Sequence, residues 1–427
     1  MWWSRLGWGL VGLAAACGES TSHRQSARSG GSGGDAGLAG SAGSTASSGA
    51  GGAGTSAVGG AAGSRVTTAG SSGTPAGDGG EPGAAGAGEP AVLTELEVSG
   101  YDRVEVQAIS ADGTYVTGKA WSSAGGGVVR GVRWKDAAPT LLETKDGWTG
   151  VYPAGISADG SVVAGTVHTQ VENHAFVWTG TTVDLLQGLV GLSLGSDAFA
   201  LSGDGKVVLG RVNDENNQVY GAGWFDGSLT MLPVPSGFEL NIALAASFDA
   251  SVSIGRGENG TADGVVRWLR DDAGNLSAER FSDDYVGLVA VSDDGRWVVG
   301  AKGTGSGSVF RGAATGSGIE EITVSATPEA QCEVAATNED GSIIVGTCVV
   351  FDGALAFQGF LWSETHGAVT LDTVLEKLGL DRSVYGSCTI VDISADSSTL
   401  LMNCTRSNGD LGTLGFGARL RLAGAFD

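Results

Sequence analysis

One short phrase, Ser-x-Asp-Gly, recurs with small variations seven times between residues 110 and 397, and it limits the fold more than any other feature of the chain. Its aspartates are Asp112, Asp159, Asp204, Asp249, Asp294, Asp340 and Asp396, separated by 47, 45, 45, 45, 46 and 56 residues. Two positions before each marker stand Ser110, Ser157, Ser202, Ser247, Ser292, Asn338 and Ser394. Glycine follows the marker in five copies, with Ala250 and Ser397 in the other two. Six positions after it come Gly118, Gly165, Gly210, Gly255, Gly300 and Gly346, and only Met402 departs. Self-similarity at a fixed period near 45 residues is the mark of a repeat architecture.

Each copy has the same parts: a run of small and β-branched residues, the Asp-Gly turn, a second apolar run, an aromatic strand and a fourth run. The aromatic strands end at Trp134, Trp178, Trp224, Trp268, Phe310, Trp362 and Phe416. Four short strands per unit, separated by Gly/Asp turns, predict a β-propeller. The rungs of a β-helix, the competing architecture, are shorter than this period. The seventh copy lacks its fourth strand, while one unpaired strand-like run, Val92–Val98, precedes the first copy. A ring closed by that N-terminal strand uses every piece once and leaves no open sheet edge. The expectation is an all-β fold: a seven-bladed propeller of four-stranded blades over residues 92–427.

The remainder of the chain predicts export. Arg5 precedes an apolar run, Leu6–Ala16, too short to span a bilayer and followed at once by Cys17. Small residues leading into a cysteine resemble the bacterial lipoprotein signal, although the usual leucine three places before the cysteine is Ala14 here. The resemblance implies a signal peptide over 1–17, lipidation of Cys17, and a membrane partner through that anchor at the outer membrane or cell surface. Residues 18–91 are Gly, Ser, Ala and Thr with too little apolar surface to offset ordering entropy, and are expected to form a disordered linker. The net charge of −23 disfavours nucleic acid, whose phosphates need basic patches.

The other four cysteines lie symmetrically. Cys332 and Cys348 stand eight residues either side of Asp340, and Cys388 and Cys404 eight either side of Asp396. Paired residues of an antiparallel hairpin have a constant index sum, so the placement selects Cys332–Cys348 and Cys388–Cys404 as cross-strand disulfides. It also predicts a turn with an odd number of residues, such as Glu339-Asp340-Gly341. A zinc site is disfavoured because no histidine stands at ligand spacing.

The copy "GISADGSVVAGTVHTQVENHAFVWTGTTVDLL" resembles the HAF repeats of bacterial extracellular proteins, through His174, Ala175 and Phe176, the turn before them and the Asp184-Leu185 strand after them. The other copies keep the turn and an aromatic but lose the histidine. The resemblance spans residues 92–427 and implies an exported repeat protein of propeller type, with no general activity attached.

Chemistry is harder to place. The Ser-x-Asp-Gly turns lack the alternating carboxylates of a calcium loop and read as backbone turns. His174 has only Glu172 nearby, and His168 and His366 are isolated, so spacing assembles no catalytic group, metal site or cofactor site. A ring of aromatics is the better lead for a ligand. Tyr101, Trp148, Phe238 and Tyr385 stand eleven residues before their markers, and Tyr285 nine before its own. These positions fall in the loops leading into each innermost strand, where stacking on a carbohydrate competes with packing between blades. Leu371, Leu375 and Leu378 predict a short inserted helix covering sheet between blades six and seven. The functional expectation is a monomeric, surface-anchored binding or scaffold module for a carbohydrate or protein. A polysaccharide-acting lyase or hydrolase is the alternative.

Overall fold

The computed structural model describes residues 92–422 apart from short segments at 123–126, 189–194, 217, 260–262, 283–288, 302–306, 317, 328, 352–354, 381–384 and 407–414. Cys17, the signal and linker over 1–91, and Tyr285 lie outside the described residues. Among the described residues, twenty-eight strands form seven four-stranded antiparallel sheets. Blade 1 is β2–β5 (103–141), blade 2 β6–β9 (148–185), blade 3 β10–β13 (196–231) and blade 4 β14–β17 (240–282). Blade 5 is β18–β21 (289–323), blade 6 β22–β25 (331–370) and blade 7 β26–β28 (385–421), the last completed by β1 (Leu93–Leu96). The closing ladder runs from Leu93↔Leu420 to Leu96↔Gly417. Seven blades and closure by the N-terminal strand are as the repeat predicts.

The repeated residues have separate structural duties. Every marker-turn serine is buried, and its hydroxyl does two things at once. Ser157 Oγ donates to Asp159 Oδ1 at 2.7 Å and accepts from Val162 N at 3.0 Å. In blade 6 the amide of Asn338 imitates both bonds, with Nδ2 donating to Asp340 and Oδ1 accepting from Ile343 N. The hydroxyls of Ser157 and Ser161 and the Ser161 amide hold Asp159 below the usual carboxylate range.

The turns also bond to one another across the blades. Ala111 N donates to Ala158 O, Ala158 N to Gly203 O, Asp204 N to Phe248 O and Phe248 N to Asp293 O. Asp294 N then donates to Glu339 O, Glu339 N to Ala395 O, and Asp396 N returns to Ala111 O. Seven backbone bonds of 2.8–3.1 Å thus close a belt on this turn face.

The residue after each marker has positive φ in all seven blades, including Ala250 (55°) and Ser397 (63°). A Cβ is disfavoured there by about 1 kcal/mol or more. Ala250→Gly is therefore expected to stabilise the protein by about 1 kcal/mol, read as a higher thermal midpoint. Ser397→Gly should gain less, because Ser397 Oγ accepts a hydrogen bond from Asn338 Nδ2 at 3.0 Å.

Both disulfides form with the pairing the symmetry selects, between residues directly opposite with Cα atoms 3.9 and 4.1 Å apart. The turn length does not follow the expectation. Asn338 N bonds Ile343 O, so four residues, not three, make the loop. A β-bulge on β22 (Gln331–Thr337), between Val334 and Ala336, absorbs the extra residue and changes the index sum by one. The same bulge occurs in the innermost strands of blades 1, 2, 3, 4 and 7. It explains the glycine six after the marker: a Cβ on Gly210 would stand 1.9 Å from Asp197 O, and one on Gly255 2.0 Å from Ile242 O.

The third-strand aromatics pack in the core, but not all at one register. Trp134, Trp178, Trp224, Trp268 and Trp362 are equivalent, whereas Phe310 lies opposite Gly300, two places earlier in its strand. Phe416 stands opposite Cys404, earlier again. Indole N–H groups tie the lead-in segment of their own blade: Trp134 to Glu97 O, Trp224 to Gln187 O and Trp268 to Pro233 O. The inserted helix, α1 (Leu371–Lys377), is capped by Thr370 and buries Leu371, Val374 and Leu375 against blades 6 and 7. It covers sheet, as expected.

Candidate functional site

The first strand of each blade is innermost: β2 (Arg103–Ile109), β6 (Trp148–Ile156), β10 (Ser196–Leu201), β14 (Leu240–Ala246), β18 (Val289–Val291), β22 and β26 (Tyr385–Ile393). Together they line a central channel of about 430 Å³. Four residues before each marker the wall carries Ala108, Gly155, Ala200, Ala245, Ala290 and Ala336, so the repeat hollows the axis with small side chains. In blade 7 that position is Asp392.

None of the four described lead-in aromatics, Tyr101, Trp148, Phe238 and Tyr385, lines this channel. Phe238 is 8% exposed, packed in the core beside Gly257 and Gly264 and under the Arg280 guanidinium at 4.3 Å. Tyr101 packs half-buried on the core of blades 1 and 7. Trp148 packs on the core of blade 2 with Lys145 Nζ 5.4 Å from its ring, and Tyr385 lies 5.7 Å from Phe416. Tyr101, Trp148 and Tyr385 stand at or just before the start of their innermost strands, outside the channel lining.

The channel instead gathers residues that the repeat does not require. Seven places after the marker, in blades 2, 6 and 7, a second-strand side chain caps the innermost strand of the next blade, whereas blades 3, 4 and 5 carry Arg211, Arg256 and Ala301 there. Thr166 Oγ1 accepts from Ala198 N, Thr347 Oγ1 from Ile390 N, and Asn403 Oδ1 from Val106 N. In blade 1 this position is Lys119, which has nothing to accept with. The amide it would have capped belongs to Pro153, which has no N–H. Lys119 is 8% exposed, 3.1 Å from Glu105, and near the rings of Tyr152 (5.5 Å) and Trp121 (5.7 Å). Burial lowers its pKa, partly offset by Glu105.

Tyr152 faces the channel with its phenol pKa raised by burial, and His168 stacks on it with ring centroids 4.2 Å apart. Burial holds His168 toward its neutral form, and its Nε2 is buried without a hydrogen-bond partner. Phe199 completes this wall. His174 meets Glu172 at 3.3 Å on the neighbouring hairpin, as the spacing allows, and neither lines the channel.

Toward the turn face the channel holds two further carboxylates. Asp392 Oδ2 accepts from Ile109 N of blade 1 at 3.0 Å and Oδ1 from Ile393 N at 2.8 Å. Even so, burial raises its pKa to about 7. Asp293 is raised to about 6 by burial and by the charges of Glu339 and Asp294. Glu333, in blade 6, is raised by burial. Among the described residues no three His, Cys, Asp or Glu side chains form a metal-holding group.

Asp392 was detectable as the exception at a position where the other six copies carry Ala or Gly, whereas the position of Lys119 varies and also holds Arg211, Arg256 and Ala301. Seeing that they share a channel requires the ring.

No protein-family model and no curated protein matches the chain. Solved structures do. The oligogalacturonate lyase from Vibrio parahaemolyticus superposes with a TM-score of 0.51 at 10% identity, covering 78% of this chain and 94% of that one. TolB from Acinetobacter baumannii gives 0.42 at 12% identity over 73% and 64%. Likeness at such identity shows the propeller fold alone.

Proposed function

We propose that the chain is an exported binding module that seats a carbohydrate at the lead-in end of its central channel. The observation that carries this is Lys119. Pro153 leaves no amide for this position to cap, and the amine is buried against Glu105 and Tyr152 instead of being solvated. A charge kept inside a concave, aromatic-walled cavity without a framework duty is a mark of a binding site. Tyr152 and Phe199 supply stacking faces, and Lys119, Glu105 and Gln107 supply polar contacts. Tyr101, Trp148 and Tyr385 flank the channel as outer contacts for a longer chain. Two disulfides fit an oxidising compartment, and lipidation at Cys17 would hold the module at a membrane surface.

Calorimetry of the full chain against polysaccharides and cell-wall fragments tests the reading. Saturable heat is expected, weakened about tenfold or more by Tyr152→Ala, in line with the loss of one stacking platform. Absence of binding across the panel would refute it. The fold neighbour named as a lyase makes the second outcome concrete: heat that continues with shortening of the polymer would mark an enzyme acting at Lys119, Tyr152 and His168.

A further inference from the structure

The charged side chains along the described channel wall are Glu105, Lys119, Asp293, Glu333 and Asp392. One amine faces four carboxylates, and that amine is already taken by Glu105 at 3.1 Å. Among the described residues, Asp293, Glu333 and Asp392 have no cation beside them in the channel. They do not form one cluster: Glu333 lies toward the lead-in end, while Asp293 and Asp392 stand at the turn-face end on blades 5 and 7. Between them the wall is apolar, with Leu244, Val289, Val391 and Ile393.

The repeat shows that Asp392 is not needed to build the ring. Six blades place Ala or Gly at its position and keep the same fold. Ile109 N, which it accepts from, faces the channel beside it. An acid retained at such a place, inside a ligand-sized cavity with a stacking wall, is accounted for by what enters the cavity.

Resting on the binding reading above, we infer that the saccharide seated in the channel carries a protonated amine, which the carboxylates of Asp392 and Asp293 receive. The site then offers stacking for the ring and an anionic floor for the ammonium group. A polyanion such as an oligogalacturonate is disfavoured because it brings no cation to these carboxyl groups. Burial raises Asp392 and Asp293 toward neutrality when the channel holds no cation, so an arriving ammonium group releases protons as it binds.

The test compares three probes on the full chain by calorimetry at neutral pH: a glucosamine trimer, its N-acetylated form and a galacturonate trimer. The glucosamine trimer is expected to bind about tenfold or more tighter than the N-acetylated one, with protons released, as a desolvated charge pair provides. In the Asp293→Asn/Asp392→Asn double variant that preference should fall to about threefold or less, with the N-acetylated trimer held as before. Asparagine keeps an acceptor for Ile109 N and gives up the one for Ile393 N, and a thermal melt verifies that the variant folds.

Equal affinity for the amine and its acetylated form, or preference for the galacturonate trimer, overturns the inference while leaving the binding reading intact. Failure of all three trimers and of the wider polysaccharide panel overturns both. Capture of a lysine-rich peptide in preference to every saccharide overturns the saccharide in favour of a protein partner.

Discussion

Asp392→Ala is expected to raise the thermal midpoint at neutral pH by about 4 °C and to reverse that effect near pH 4. The native carboxyl titrates at about 7 against an ordinary value of 3.8. Between those values the folded protein holds a proton that the unfolded chain has released. Stability from this group is therefore complete below pH about 4 and falls steadily as the pH rises to about 7. Three pKa units set a ceiling of about 4 kcal/mol on the loss. Alanine removes that penalty and also the two amide bonds from Ile109 and Ile393, worth about 1 kcal/mol each. The net gain near neutrality is about 2 kcal/mol, and on the acid side only the lost bonds remain. Thermal melts of both proteins from pH 4 to 8 check this. Parallel curves would show that Asp392 is not the titrating group.

Loss of the closing strand should be far more damaging. Leu96 is fully buried and packs with Val98, Val104, Trp134 and Leu401, so one side chain of β1 joins the cores of blades 7 and 1. Trp134 Nε1 also donates to Glu97 O just beyond it. Leu96→Asp should destabilise the protein by about 5 kcal/mol, from lost burial and an unpaired charge. That is comparable with the whole stability of many domains. Deleting residues 92–98 goes further, because it bares β28 (Gly415–Arg421) as a sheet edge with Leu420 uncovered. The expected result is aggregation, measured by light scattering on refolding, with partial relief when the peptide VLTELEV is supplied to fill the vacant strand position. A soluble truncated protein with an unchanged melt would mean that blade 7 closes by other means.

Much of this architecture is legible in the order of the amino acids alone. Marker spacing gives the number of blades, the unmatched run at Val92–Val98 gives the closure, and symmetry about Asp340 and Asp396 gives the disulfides. These are properties that every copy must satisfy, so repetition amplifies them. The bulges are not legible, because an extra residue in β22 and a longer turn leave the same spacing between Cys332 and Cys348. The channel is hidden for the opposite reason. Lys119, Tyr152, Asp293 and Asp392 sit where the copies differ, at unlike offsets in four blades. Aromatics at a shared offset, such as Phe238, instead mark positions of common packing. In a ring of repeats, likeness between copies reports the scaffold and departures from it report the site.

The belt and the closing strand also set how the protein bears load. A ligand gripped in the channel pulls on innermost strands that seven backbone bonds join into a hoop, which shares tension among all blades. Among the described residues, β1 joins the ring by four residue pairs with β28, by Leu96 in the core and by the bond from Trp134 Nε1 to Glu97 O. On the proposed reading, tension between an anchor at Cys17 and a ligand in the channel would load this short ladder. It is the mechanical fuse of the molecule: the place where drag would part the ring before any blade is torn.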